Sequence, residues 1–237
     1  CFALTGTPIE NSLTELWSLF DFILPGYLFS RSRFQSLYEW PIQRENSREA
    51  MTALHRQISP FILRRMKTDV LKELPDKIET RTVCDMTDEQ RAVYRQFLSQ
   101  ARKDFEAEIQ DHGLIRSQIF ILTLLTRLRQ ICCHQALCQP EFEGTSGKLQ
   151  LLEELLEDSF SAGHRVLVFS AFTSMLEIIR SSQRAKGREP FYIDGQVAAE
   201  DRLAQVQRFN QGEGELFLIS LRSGGTGLNL TGADTVI

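Results

Sequence analysis

Apolar positions along this chain follow two rhythms, and the change from one to the other organises it. Before about residue 145 they recur three and four apart: Leu13, Leu16, Trp17, Phe20, Ile23 and Leu24, then Met51, Leu54 and Ile58, then Val93, Phe97, Ala101, Phe105 and Ile109. That spacing lays one apolar stripe along a helix. From Lys148 onward, short all-apolar runs alternate with such stripes. The runs are Val166-Leu167-Val168-Phe169, Phe191-Tyr192-Ile193 and Leu216-Phe217-Leu218-Ile219. Between them lie helical stretches with Leu149, Leu152, Leu155 and Leu156, with Met175 and Ile179, and across residues 200–209. Strands apolar on both faces and joined by helices predict a parallel sheet covered on both sides, an α/β fold.

Local signals refine the front part. Cys1 to Leu4 reads as the end of a buried strand entering the turn Thr5-Gly6-Thr7-Pro8. Ser12 and Glu15 have capping-box spacing, so a helix should start at Leu13 and stop at Pro25-Gly26. Residues 27–60 mix Tyr27, Phe29, Phe34, Tyr38 and Trp40 with polar positions. Pro41 and Pro60 punctuate two short helical stretches there, and aromatics at helical spacing read as core before they read as base-stacking platforms. Residues 61–77 are the most basic stretch, with Arg64, Arg65, Lys67, Lys72 and Lys77 among Phe61, Ile62, Leu63, Val70 and Leu71. Packed stems with guanidinium groups reaching acidic partners would suit a linker between lobes. Ile78 to Cys84 alternates like a strand, and Thr87 with Gln90 caps the next helix. Gly113 should break that helix before a second helical run over 114–138, giving an antiparallel pair.

Composition narrows the function classes. With 237 residues, 24% of them charged and 42% hydrophobic, the chain is an ordinary globular one of one or two domains. A formal net charge of −4 excludes a uniformly basic nucleic-acid sleeve but leaves room for a local basic groove. No apolar run approaches the ~20 residues of a membrane span. Five cysteines without a secreted framework suit a reducing cytoplasm. Opening on Cys1 inside an apolar run, the chain reads as a fragment.

Candidate chemistry gathers where the apolar runs end. Ser170 and Thr173 follow the first, Asp194-Gly195 the second, and Ser220, Arg222 and Ser223 with Gly224, Gly225 and Gly227 the third. In open α/β sheets ligands bind outside the carboxyl ends of the strands, so these loops should share one rim. Hydroxyls, main-chain N–H groups and an arginine suit a phosphate-bearing partner. The glycines alone fit a tight turn equally well. Three other features read as structural. Gly144 to Lys148 imitates a phosphate loop, but Phe142 falls at its first glycine and Leu149 at its Mg²⁺-binding hydroxyl. Asp88-Glu89 sits in a first helical turn, where acids complement the dipole. Cys132, Cys133, His134 and Cys138 are too close together for the usual paired zinc ligands, so no metal site is expected.

Five segments, in order, resemble the Swi/Snf family of helicase-like ATP-driven double-stranded-DNA translocases: LTGTPIENSLTELWSLFDFILPG (4–26), PFILRRMKTDVLKELPDK (60–77), LRQICCH (128–134), SGKLQLLEELL with RVLVFSAFTSML (146–156 and 165–176), and FLISLRSGGTGLNLTGADTVI (217–237). The short gap from Cys138 to Ser146 resembles bacterial members. The resemblance implies a RecA-like second helicase lobe with α-helical insertions and the tail end of a first lobe. Its divisions would be 1–26 for the end of the first lobe, 27–60 for a helical insertion, 61–77 for the basic interlobe linker, 78–145 for the start of the second lobe with a helical protrusion, and 146–237 for the second lobe, truncated at its end.

It further implies a role for each motif. Thr5, Gly6, Thr7 and Pro8 would couple nucleotide state to DNA, and Arg64, Arg65 and Lys67 would brace the lobes. Ser170, Phe172, Thr173, Asp194, Gly195, Ser220, Arg222 and Ser223 would run along the DNA backbone. Gly225, Gly227, Asn229 and Asp234 would lie near the nucleotide cleft. ATP and Mg²⁺ would be the cofactors of the full-length protein, double-stranded DNA the partner, with a DNA-bound protein complex beside it, in a bacterial nucleoid or a eukaryotic nucleus. Gln135 stands where the family usually has proline, and Gln196 where it has Ser or Thr. The family's phosphate loop, acidic pair and arginine finger are absent from these residues, so the chain alone should be inactive. An RNA helicase lobe and a non-catalytic helical scaffold are the competing readings; the basic linker and the LRQICCH segment argue against the first, and salt-dependent binding of duplex DNA would separate the second.

Overall fold

A computed structural model describes the chain apart from residues 7, 10–11, 66–69, 71–76 and 225–227, and gives no side-chain placement for residues 107, 110–116 and 224. It falls into two compact units, Cys1–Glu79 and Thr80–Ile237.

The first unit is helical where it is regular. Helix α1 spans Leu13–Ile23 and begins where the sequence predicts, with Ser12 in N-cap conformation although its hydroxyl makes no capping bond. Gly26, at φ 79°, turns the chain after it. Then come α2 (Arg31–Phe34), a π turn over Gln35–Glu39, α3 (Trp40–Glu45) and α4 (Arg48–Ile58). Leu16, Phe20, Leu28, Phe34 and Leu54 form its core, with Tyr27 and Tyr38 packed against it. The Tyr38 hydroxyl donates to Gln57 Oε1 at 2.8 Å, and the Thr14 hydroxyl lies 2.8 Å from Oε2 of the buried Glu39 carboxylate. Most of the aromatics of 27–60 are therefore core. Two expectations fail in this unit. Cys1 to Leu4 forms no strand: Phe2 is 94% and Leu4 100% exposed, because no neighbouring strand among the described residues pairs with them. The packing expected of the basic stretch fails as well at Leu63 and Val70, 80% and 55% exposed, although Phe61 stacks edge-on against Tyr27.

The second unit opens with coil. Residues 78–84 alternate but lack a partner strand, so the strand expected there is absent. Helix α5 (Asp88–Arg116) is capped by the Thr87 hydroxyl, which accepts the Gln90 N–H at 3.2 Å. It runs through Gly113, a residue that costs a helix only ~1 kcal/mol, and gives way at Ser117 to α6 (Gln118–Cys133). Gln90 then does more than cap. Its buried amide donates to the Ile131 carbonyl of α6 at 2.6 Å and accepts the Gly147 N–H at 3.4 Å. Gly147 opens α7 (Gly147–Ser161), capped by the Ser146 hydroxyl, and a Cβ there would collide with the Asp85 carbonyl. The loop that imitates a phosphate loop thus leads into a helix cap, with the Gly147 and Leu149 N–H groups already used.

Strands β1 (Val166–Ser170), β2 (Phe191–Ile193) and β3 (Leu216–Ser220) form the predicted parallel sheet, in the order β2-β3-β1-β4. The fourth strand, β4 (Thr235–Val236), pairs with Val166 and Leu167 of β1 and carried no signal of its own. Helices α8 (Thr173–Ala185) and α9 (Ala199–Asn210) lie on opposite faces. One face buries Val166, Val168, Leu216 and Leu218 against Leu156, Met175, Leu176 and Ile179; the other buries Leu167, Phe217 and Ile219 against Val206 and Phe209. Each strand residue thus serves one layer or the other in strict alternation.

Candidate nucleic-acid interface

Register fixes the geometry of the strand ends. Ser170 pairs with Ser220, and Ile193 with Ile219, so β1, β2 and β3 finish within one residue of each other, about 3.3 Å along the strand. The loops that follow therefore share one rim at the carboxyl end of the sheet. Thr173, Gly195 and Arg222 are all exposed there. Arg222 lies in a single helical turn, α10 (Leu221–Gly224), and makes no ion pair or hydrogen bond among the described residues.

The other rim residues hold the loops rather than face outward. Ser220 and Ser223 are buried, and the Ser220 hydroxyl donates to Ser223 Oγ at 3.5 Å. The Ser170 hydroxyl accepts the Phe172 N–H at 3.1 Å at the start of α8. The Asp194 carboxylate accepts the Gln196 N–H at 2.8 Å and the Tyr192 hydroxyl at 3.2 Å. Burial, with the Asp194 charge beside it, pushes the Tyr192 phenol up, so that hydroxyl stays a donor. Arg202 secures the same turn by donating to the carbonyls of Asp194 at 3.1 Å and Val197 at 3.4 Å. No side chain is needed at Gly195, where a Cβ would meet nothing closer than Ser223 Oγ at 4.0 Å.

Asn229 and Asp234 do not join this rim. Residues 228–233 run back along the sheet, with Leu228, Leu230 and Ala233 packed on it. Asn210, at the end of α9, donates to the Asn229 carbonyl at 2.8 Å and accepts the Gly232 N–H at 2.9 Å. Asp234 precedes β4, whose Thr235 pairs with Val166 at the amino end of β1; its carboxylate sits 3.3 Å from His164 Nδ1. Although partial burial opposes it, bonds from Thr235 and His164 leave that carboxyl below its usual range. Asn229 and Asp234 thus lie at the opposite end of the sheet from Arg222.

That amino end centres on a residue the sequence did not single out. Arg165 donates to the carbonyls of Gly214 at 3.0 Å, Gly232 at 2.8 Å, Phe209 at 2.5 Å and Glu213 at 2.9 Å. Its guanidinium also stacks 4.0 Å from the Phe209 ring. One planar fork joins the approaches to β1, β3 and β4.

The remaining expected site residues stand apart. Thr5, Gly6 and Pro8 are exposed and outside regular structure, as are Arg64 and Arg65. Thr7, Lys67, Gly225 and Gly227 lie outside the described residues. Around Cys132 and Cys133 no group of three metal-ligating side chains forms among the described residues. His134 instead accepts the Ala136 N–H through Nδ1 at 3.1 Å and is buried, which depresses its basicity. Likewise, no described helix is long and apolar enough to cross a membrane.

A parallel sheet with helices on both faces and three strand-end loops on one rim defines a RecA-like lobe of the helicase type. Residues 2–137 match the SNF2-related domain family, and residues 147–237 the helicase conserved C-terminal domain family. The chain belongs to the SNF2 family. It is 36% identical to the ATP-dependent DNA helicase DDM1 of Arabidopsis thaliana over 99% of its own length and 34% of that protein's. To the putative ATP-dependent helicase/translocase YwqA of Bacillus subtilis it is also 36% identical, over 99% of this chain and 26% of that one. Among solved structures it is similar to the Sulfolobus solfataricus SWI2/SNF2 ATPase core in complex with dsDNA, with a TM-score of 0.61 and 34% identity over 99% of this chain and 50% of that one. The chain thus spans about a third or less of these two curated relatives.

Proposed function

We propose that this chain is the second-lobe half of the motor of an ATP-dependent double-stranded-DNA translocase, with the carboxyl-end rim as its contact to the DNA backbone. The observation that carries the reading is Arg222: an exposed guanidinium without an ion pair or hydrogen bond among the described residues, on a rim shared by three strand ends. Thr173 at the start of α8 and the exposed main chain at Gly195 complete a contact that grips phosphates without reading bases. Ser220, Ser223, Ser170 and Asp194 act by holding these loops in place.

Thr5-Gly6-Thr7-Pro8 is the coupling motif of this reading, and Arg64, Arg65 and Lys67 its interlobe brace. Residues 1–26, 27–60, 61–77, 78–145 and 146–237 are its functional divisions, although the compact units separate at Glu79. Gly225 and Gly227 remain its cleft residues; Asn229 and Asp234 become supports for the segment behind them. ATP with Mg²⁺ drives the full-length protein in a nucleoid or a nucleus, and a DNA-bound protein complex is its target. The chain has no phosphate loop, so alone it hydrolyses no ATP. Titration with duplex DNA, duplex RNA and single strands over rising salt tests the reading. Duplex DNA should bind best, with log K falling linearly in log salt; equal or better binding to duplex RNA, or salt-independent binding, overturns it.

A further inference from the structure

Beyond the rim itself, the described cations that flank the sheet of the second unit divide into two populations. Around β2 and the amino end of the sheet they are paired: Arg180 with Glu177, Arg184 with Glu189, Lys186 and Arg188 with Glu157, and Arg208 with Glu213. On the β1 side of the rim they are not. Arg129, in the last turns of α6, is exposed and makes no ion pair among the described residues, and its guanidinium lies 5.6 Å from the centroid of the Phe172 ring. Phe172 is the N-cap residue of α8, immediately before Thr173. Lys148, at the start of α7, is likewise exposed and without an ion pair among the described residues, and its charge reaches Cys132, one turn along α6 from Arg129.

The opposite flank has the other sign. Beyond Gly195, at the β2 edge, α9 begins with Glu200 and Asp201 in its first turn. A polyanion seated on Arg222 therefore meets carboxylates on the β2 side and free cations on the β1 side. Charge complementarity decides which way it leaves the rim.

We infer that the phosphate track continues from Arg222 past Thr173 onto α6, where Arg129, held over Phe172, contacts the backbone of a nucleic-acid duplex, with Lys148 beside it. The inference rests on the proposed reading of the rim as a DNA contact. Stacking on Phe172 limits the rotamer freedom that a long exposed arginine would lose on binding, so the contact comes at lower entropic cost. Its recognition is of phosphate, without base selection.

Fluorescence anisotropy of the 237-residue chain on a 30-base-pair duplex of arbitrary sequence, from 50 to 300 mM NaCl, tests it. Arg129→Ala should weaken binding several-fold and lower the slope of −log K against log salt by about 0.9, one phosphate contact. Arg129→Lys should restore the slope, and Phe172→Leu should give an intermediate loss. Arg102→Ala, removing an exposed unpaired cation of α5, should leave both quantities unchanged. Retained binding that depends on Arg222 while Arg129→Ala changes neither affinity nor slope overturns the extension onto α6 alone. Equal losses for Arg129→Ala and Arg102→Ala overturn it in favour of diffuse attraction. Absence of salt-dependent binding by the unsubstituted chain overturns the rim reading and this extension with it.

Discussion

The two ends of the second unit's sheet use arginine in opposite ways. At the amino end Arg165 spends its donors on four main-chain carbonyls and its flat face on Phe209. At the carboxyl end neither Arg222 nor Arg129 makes such a bond among the described residues, and the Arg129 guanidinium lies over the Phe172 ring. A guanidinium saturated by carbonyls is a structural clamp; one left exposed on a rim of strand ends is available to a ligand. Both arginines adjoin a strand of the same sheet, so position along the strand axis, more than residue type, separates stability from binding here.

Substitutions at the amino end should break stability and leave binding intact. Arg165→Ala removes four charge-assisted bonds and a stacked ring, a loss on the order of 3 kcal/mol. In a unit of this size that lowers the thermal midpoint by roughly 6–12 °C, measurable by circular dichroism. Duplex affinity below the transition should not change. Gly232→Ala comes next. A Cβ there would stand 2.8 Å from both Arg165 Nη1 and Asn210 Cα, so the clamp must shift, at about 2 kcal/mol.

Acid sharpens the same comparison with a smaller effect. The Arg188 guanidinium, assisted by Lys186, holds the Glu157 carboxyl at about 2 against its own desolvation. Because the folded value lies below the ordinary 4.5, the stabilisation is complete above that pH. It is lost as pH falls from about 4.5 towards about 2. Unfolding measured across this window should be less acid-sensitive in Glu157→Gln than in the parent chain. The least effect is expected at the carboxyl end: Gly195→Ala, with open space for its Cβ and no positive φ, should change stability by less than about 0.5 kcal/mol. A large loss there would mean that the rim carries structural load.

Much of this contrast was legible before any coordinates. The all-apolar runs at Val166, Phe191 and Leu216 name their strands, since only a sheet covered on both faces tolerates them. Their polar ends name the rim. Alternation misled at residues 78–84 and at Cys1–Leu4, because a strand needs a partner that local sequence does not supply. The converse holds for β4, two residues defined entirely by pairing with β1. Gly113 reads as a stop, yet the helix continues through it to Arg116; a glycine costs a helix only ~1 kcal/mol. Within the site, nothing local says that Ser220 and Ser223 turn inward to each other while Arg222 between them turns out. Motif order groups Asp234 with Gly225 and Gly227 near the nucleotide cleft; the return of residues 228–233 along the sheet carries it to the end opposite Arg222. Arg165 and Arg129 went unnoticed because their partners, Gly232 and Phe172, are distant in sequence.

The central claim is that the carboxyl-end rim meets a polyanion and the amino end does not. Its most direct test sets Arg222→Ala beside Arg208→Ala, which removes the same charge from a position paired with Glu213. Affinity for a duplex should drop several-fold in Arg222→Ala, with the salt slope reduced by about 0.9, and stay at the parent value in Arg208→Ala. Equal losses in the two variants, or a loss confined to Arg208→Ala, would contradict the account.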